Sequence, residues 1–455
     1  MINLQKCLEV CSLSEAALIV ANKVAFDKGK GFVLSHDNQS YWEFASSINM
    51  RVARLTRNIS KYVFQPTLKK TRRIKWKERI LYISTWEDKI VETWLNKSLN
   101  RLLSQWFSHK SYAYRIDGIG IDTCQQSVIS NIKQCSYIAR RDVKSFFYTV
   151  DHQILLDKLT HIIEPNDYLF DLLRQRIQFQ YIENQSEPQP ATLGLPFGSP
   201  IACLLANIYL TDLDRSLLKQ HVHYYRYADD FLIAADSADA VLEGAKKLEN
   251  ELDLLKLQLN TKKTENLSFV EHTNFQLVNR FRFLGLEYWP EGIVRLPIEK
   301  KRKIINIIRR TINSCPRHQD QDTRLRLIIE NIQEAVLKRI RYAAIIDYYL
   351  KHVNDEAQLR VMDREIAELV ISAALGKPFR PRDFKIIPYK KLRELGLISL
   401  VHRNRLHQQG HLQVPFLSIF NTILFERYQK GIERRADRFN QIKLSRKLRL
   451  ASRSN

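Results

Sequence analysis

The stretch HVHYYRYADDFLIAA, residues 221–235, limits the fold more than any other part of this chain. Two adjacent carboxylates, Asp229 and Asp230, interrupt an otherwise strand-like run. Aromatic and apolar residues on both sides predict strand, tight turn, strand, with the acids at the hairpin tip. Neighbouring carboxylates repel each other, and desolvating them beside a core is costly. A bound cation would relieve that cost. Taken alone, so short a motif reads equally well as a solvated acidic turn.

A second segment, CSYIARRD, reads as a strand closing on Asp142, with Val143-Lys144-Ser145-Phe146-Phe147 after it. Together the segments deliver three carboxylates from two strand ends. Two-metal catalysis needs such an arrangement: one Mg²⁺ acidifies a 3′-hydroxyl, and the other holds a triphosphate and its leaving group. Hard oxygen ligands suit Mg²⁺, with Mn²⁺ as a substitute. A third element, Gly194-Leu195-Pro196-Phe197-Gly198-Ser199-Pro200, opens an apolar helix. Its glycines allow close backbone approach to a ligand, and a helix N-terminus favours anions. A fourth, YVFQPTLKKTRRIKWKERILYIS, alternates basic and apolar residues and reads as a β-hairpin. Its Arg72, Arg73, Lys75, Lys77 and Arg79 form either a solvated face or a clamp on phosphates.

Charge points the same way. The 455 residues carry a net charge of +23 and 45% hydrophobic residues, which suits a globular chain of two or three domains with a polyanionic partner. Residues 376–455 hold 19 Lys/Arg against 5 Asp/Glu, so +14 of the excess lies there. Six scattered cysteines form no CxxC pair. Cys7 and Cys11 could share a helix face, but two thiols alone make a weak zinc site, and reduced thiols fit a cytoplasmic protein. Glu9 and Glu15 make the N-terminus a poor signal peptide, and no apolar stretch is long enough to span a bilayer.

Along the chain, helices are expected over Ser12–Lys30 and Tyr41–Ile59, the basic hairpin over 61–85, and a helix from Thr85 to Phe107. After the Asp142 strand a single helix is expected from His152 to Phe179, then a polar loop at 183–192. An amphipathic helix fits 238–256. FRFLGLEYW reads as a short hairpin, and Ile298–Ala374 as helical. A break at 376–388 precedes a basic, helical remainder.

The order of these elements resembles the reverse transcriptases, especially the bacterial type similar to group II intron enzymes. The resemblance runs from about Tyr62 to about Tyr288. YVFQP and RILYIS resemble the fingers, and RRDVKSFFYTVDH the first palm motif. LPFGSPIACLLANIYL resembles the template-contacting motif and RYADDFLIAA the YxDD hairpin. SYAYRIDGIG, LQLNTKKTE and FRFLGLEY resemble the family's remaining landmarks, the last being the primer grip. The resemblance implies an α+β right-hand polymerase fold. Its fingers would span 1–140, its palm with an antiparallel sheet 141–295, its helical thumb 296–375, and a basic helical C-terminal extension 376–455.

It also implies roles. Asp142, Asp229 and Asp230 would be the catalytic carboxylates, holding two Mg²⁺ with help from the Val143 carbonyl. Phe147 matches the steric gate that rejects a ribose 2′-hydroxyl. Arg72 and Arg79 match triphosphate contacts, and Lys263, in preference to Lys262, a lysine near the incoming nucleotide. Phe197 and Gly198 fall in the nucleotide- and template-contacting turn. Many family members carry Gln at the Phe197 position, which puts fidelity and grip in question. The partners would be an RNA template, a DNA product and deoxynucleoside triphosphates, with Arg434, Arg435, Arg438, Arg446 and Arg449 holding RNA backbone. The lack of a Cys/His module after the palm makes the chain most similar to stand-alone, defence-associated reverse transcriptases of bacteria. Intron, retron and diversity-generating enzymes, a template-independent or protein-primed polymerase, and a non-catalytic RNA-binding protein are the alternatives.

Overall fold

The computed structural model describes residues 1–26, 35–65, 67–74, 78–116, 118–183, 187–316, 320–338 and 346–411. Packing divides the chain into two compact units. One holds Met1–Cys124 and Tyr137–Asn266; the other holds Gln125–Ser136 and the described chain from Leu267 onward.

The first unit opens with α1 (Leu4–Val10), α2 (Leu13–Phe26), α3 (Tyr41–Ser46) and α4 (Ile48–Asn58). Ser40 and Glu43 form a reciprocal capping box at the start of α3, satisfying two donors that a helix end leaves open. The expected basic hairpin is β1 (Thr67–Ile74) and β2 (Glu78–Ile83), antiparallel with Lys69 opposite Ile83. α5 (Trp86–Leu102) follows, capped by Thr85 and burying Trp86 and Trp94 together with Asp88 and Glu92.

α6 (Ile121–Ile132) leads into β3 (Tyr137–Asp142), which ends at the expected aspartate. A helical turn, α7 (Phe146–Thr149), comes next. The single helix expected over 152–179 is instead two, α8 (His152–Thr160) and α9 (Tyr168–Ile177). Pro165 disfavours helical backbone at Glu164, and Asp167 caps the new start by accepting from the Leu169 N–H at 2.9 Å. β4 (Gln180–Ile182) pairs in parallel with β1, and β5 (Gln189–Pro190) is antiparallel to β4, so the basic hairpin belongs to a four-stranded sheet.

α10 (Ala202–Leu217) is buried along most of its length. β6 (His223–Tyr227) and β7 (Asp230–Ala235) are the strands flanking the acidic turn, and α11 (Ala238–Leu254) follows with Ser237 as its cap. β7 lies between β6 and β3, antiparallel to both. β8 (Glu265–Ser268) adds to the far side of β3.

In the second unit β9 (Gln276–Leu277) pairs in parallel with the end of β8. β10 (Phe281–Phe283), β11 (Leu286–Tyr288) and β12 (Val294–Arg295) make an antiparallel sheet, one strand more than the hairpin expected. The β10–β11 turn places Leu284 and Gly285 both at positive φ, the type I′ geometry that matches strand twist. Helices Ile298–Asn313, Gln321–Gln333 and Glu356–Leu375 follow, with a π-helical turn at Glu334–Lys338. Gly376, at φ 67°, ends the last of these in the left-handed conformation that glycine tolerates best. Short helices Tyr389–Glu394 and Leu400–Gln408 continue the expected helical character. Residues 412–455 lie outside the described chain, and with them Arg434, Arg435, Arg438, Arg446 and Arg449.

Burial pushes the Cys7 thiol up to about 12 and the Cys11 thiol up to about 11. No described helix is long and apolar enough to cross a membrane.

Candidate active site

The β3–β7 register sets Asp142 directly opposite Asp230. At the same end the Val143 N–H donates to the Asp229 carbonyl at 3.2 Å, so the three acidic residues share one edge of the sheet. Ala228 takes the turn between β6 and β7 at φ 59°, a left-handed conformation that costs a side chain roughly 1 kcal/mol. The surrounding packing must hold that strain.

Electrostatics matches the sequence argument. Burial pushes the Asp230 carboxyl up to about 6, Arg140 pulls it down, and Asp142 and Asp229 push it further up. Arg140 Nη2 stands 3.9 Å from Asp230, while its Nη1 binds Glu265 at 2.8 Å. Asp142 is buried and accepts from Lys263 Nζ at 2.5 Å and Asn260 Nδ2 at 3.1 Å. Of the two lysines weighed from sequence, both exposed, Lys263 is thus the one that reaches the acids. Asn260 is an addition; its only sequence signal is its place two residues before that lysine pair.

Among the described residues no group of three His, Cys, Asp or Glu side chains converges tightly enough to enclose an ion, and Asp142 is bound to Lys263 and Asn260. The donor set still fits a divalent metal: hard oxygens, adjacent through the register, one with its proton affinity raised by burial and by the other two. Asp142, Asp229, Asp230 and the Val143 carbonyl are the groups that would hold it.

Beside the acids lies an aromatic cluster. Ser145 at φ 54° turns the chain into α7, and Phe147 is 9% exposed. Its ring meets Phe197 edge-on with centroids 5.1 Å apart, and Phe146 and Tyr114 at 5.7 and 6.2 Å. The glycine turn is fastened to the same strip of backbone. Leu195 N–H donates to the Phe147 carbonyl at 2.7 Å and Gly194 N–H to the Val150 carbonyl at 2.8 Å. A Cβ on Gly194 would stand 2.9 Å from Tyr148 Cα, so only glycine fits. On its other side the turn accepts from β2, Tyr82 N–H to the Phe197 carbonyl at 2.9 Å. Gly198, exposed at φ 110°, follows. Arg72 and Arg79 lie on β1 and β2, Arg72 opposite Ile80 and Arg79 opposite Arg73; their side chains are outside the described set.

The antiparallel sheet brings acids from two strand ends together beside an aromatic cluster and a glycine turn, the arrangement that the sequence resemblance implies for a polymerase palm. Residues 68–288 match the family "Reverse transcriptase (RNA-dependent DNA polymerase)", so that stretch carries a reverse transcriptase domain. It is similar to the COX1/OXI3 intron 2 protein of Saccharomyces cerevisiae, 26% identical over 142 residues, which is 30% of this chain and 16% of that protein. It is also similar to protein YkfC of Escherichia coli, 25% identical over 46% of this chain and 62% of that one. Both alignments therefore span only part of the relatives' length. Among solved structures it resembles apo telomerase from Candida tropicalis at TM-score 0.43 and 11% identity, over 84% of this chain and 72% of that one.

Proposed function

We propose that this protein extends a 3′-hydroxyl with deoxynucleotides on an RNA template, with Asp142, Asp229 and Asp230 as its catalytic carboxylates. The observation that carries the proposal is the register pairing Asp142 with Asp230 next to Asp229. Bound there, two Mg²⁺ ions would acidify the 3′-hydroxyl and neutralise the triphosphate. The carboxylates supply hard oxygens, and the Val143 carbonyl adds another. Lys263, 46% exposed, is free to turn from Asp142 to a phosphate. The Phe147 ring, backed by Phe197, stands as a wall against a 2′-hydroxyl. Fingers over 1–140, palm over 141–295, thumb over 296–375 and a basic RNA-holding extension over 376–455 complete the proposal.

Two experiments test it. Asp229→Asn with Asp230→Asn keeps side-chain volume and removes charge. It should abolish primer extension on an RNA template while circular dichroism shows a folded protein, and retained extension would refute the assignment. Phe147→Ala should raise ribonucleotide incorporation relative to deoxynucleotide by about 10- to 100-fold, because the wall against one hydroxyl is gone. An active variant as selective as the parent would return Phe147 to core packing with Phe146.

The sequence resemblance to defence-associated enzymes extends the proposal to anti-phage defence with a dedicated non-coding RNA as template. Sequencing the nucleic acid that the protein binds and makes in cells tests this. Copies of a host intron would move it to the intron class, in line with the yeast protein's name.

A further inference from the structure

We infer that Arg226, three residues before Asp229, is the positioning residue of the catalytic turn. Its side chain is wholly buried, and within the turn it reaches the backbone at Ala228. A guanidinium has five N–H donors in a fixed plane. Here they all find acceptors. Nε and Nη2 grip the two oxygens of Asp214 on α10 at 2.7 and 2.6 Å, a bidentate fork. Nη2 also reaches Ser111 Oγ at 2.6 Å. Nη1 donates to Asn207 Oδ1 at 3.0 Å and to the Ala228 carbonyl at 3.2 Å.

The last of these gives the side chain its role. Ala228 is the turn residue held at positive φ, and Asp229 follows it directly. The orientation of the Ala228 carbonyl fixes the peptide plane from which Asp229 departs. Arg226 sets that plane against two anchors outside the hairpin, the α10 helix and the segment around Ser111. The backbone reinforces the second anchor: Arg226 N–H donates to the Lys110 carbonyl and Tyr112 N–H to the Arg226 carbonyl, each at 3.0 Å. Asn207 closes the ring by donating to the Ala113 carbonyl at 2.7 Å. Tyr224 supplies Asp214 with a further donor at 2.8 Å. Stability alone is a poor account of such a pair, since apolar residues of similar volume often replace a buried ion pair without loss. A guanidinium clamped by Asp214 that aims its remaining nitrogen at the carbonyl of a strained residue is an account. Lysine, with a point charge and no planar fork, could neutralise Asp214 but could not hold all the acceptors in one plane.

The inference rests on Asp229 and Asp230 being the metal ligands, so the test begins there. Mn²⁺ affinity of the full-length protein without nucleic acid, read by electron paramagnetic resonance, is compared with that of the double Asn variant. Equal affinities would remove the ligand assignment and this inference with it. Arg226→Lys is then compared with the parent for thermal midpoint, Mn²⁺ affinity, and kcat and KM in primer extension. The expected result is a folded protein with KM for deoxynucleotide within roughly twofold. Its kcat should fall about 10- to 100-fold, the scale of an ångström-sized misplacement, and its Mn²⁺ affinity should weaken in parallel. Asn207→Ser, a milder cut in the same ring, should move both readouts in the same direction by less, and decides the matter if Arg226→Lys does not fold. A lowered midpoint with parental kcat and Mn²⁺ affinity would show that Arg226 only stabilises the fold, and would overturn the inference.

Discussion

Arg226 and Arg176 are both wholly buried guanidiniums facing carboxylates, yet they are used in opposite ways. Arg226 meets its neighbours donor to acceptor. Arg176 sits among charges: Nε is 2.7 Å from Glu92 Oε1 and Nη2 is 3.3 Å from Asp88 Oδ2, and its plane lies over the Phe64 ring at 4.1 Å. All three of its nitrogens lack a well-aimed hydrogen bond, as do both oxygens of Glu92. One cation serves two acids, so burial pushes the Glu92 carboxyl up to about 7 while Arg176 draws it back. Asp88 has better company, accepting from the Tyr62 hydroxyl at 2.6 Å. A buried arginine that aims its donors specifies a geometry; one that only offsets charge specifies a composition.

The sharpest way to break this contrast is Arg176→Met. It should cost about 3–5 kcal/mol, the penalty for stranding buried charge, measured as a lowered denaturation midpoint. The Mg²⁺ concentration giving half-maximal extension should stay parental in the folded protein, unlike that of the Arg226 variants; a matching shift would erase the distinction. The loss should also depend on pH. Glu92 moves from an ordinary 4.5 to about 7 in the fold, so the folded state takes up the proton first, and ionising Glu92 costs stability as pH rises through that window. Without Arg176 that cost grows, and the variant should lose more stability at pH 8 than at pH 6.

A smaller effect sharpens the contrast from the turn that Arg226 holds. Asp230 likewise rises from an ordinary 3.8 to about 6, so its ionisation opposes folding increasingly between those values. In metal-free buffer at pH 7, Asp230→Asn should therefore raise stability by about 1–2 kcal/mol, with the gain fading below pH about 4. Calorimetry with and without Mn²⁺ checks it: the ion should stabilise the parent more than the variant. A neutral or destabilising substitution would mean that the turn carries no stored repulsion.

What sequence revealed, and what it hid, follows from the range of the interactions. Asp142, Asp229, Asp230 and Gly194 announce themselves through local pattern: acids at the ends of apolar runs, glycine where a helix opens. The hairpin of β1 and β2 is legible for the same reason. β12 and β5, two residues long, and β4, three, are too short to show an alternation, so the sequence does not display the sheets they complete. The split between α8 and α9 was signalled by Pro165 and overridden by the apolar period on either side of it. Arg226 gave no local sign. Its partners Asp214, Asn207 and Ser111 lie 12, 19 and 115 residues away, and only the fold assembles them. Asp88 and Glu92 were hidden in α5 because a helix rich in charge is expected to turn that charge to solvent, whereas this one is enclosed.

The close approach of Gly194 to the backbone at Tyr148 has a consequence for how this protein can change over generations. With no room for a Cβ and two backbone hydrogen bonds across the gap, the segment carrying Phe147 and the glycine turn form one stiff piece without slack in the chain. Insertions or altered turn lengths there would pull both at once, so the path to new substrate preferences by way of loop length is closed. What remains open is exchange of the side chains that stand on this fixed frame. Phe197 stands on it with its ring against Phe147, which makes one codon, and no rebuilding of the loop, the accessible route by which descendants of this chain would reshape the surface proposed to select the sugar.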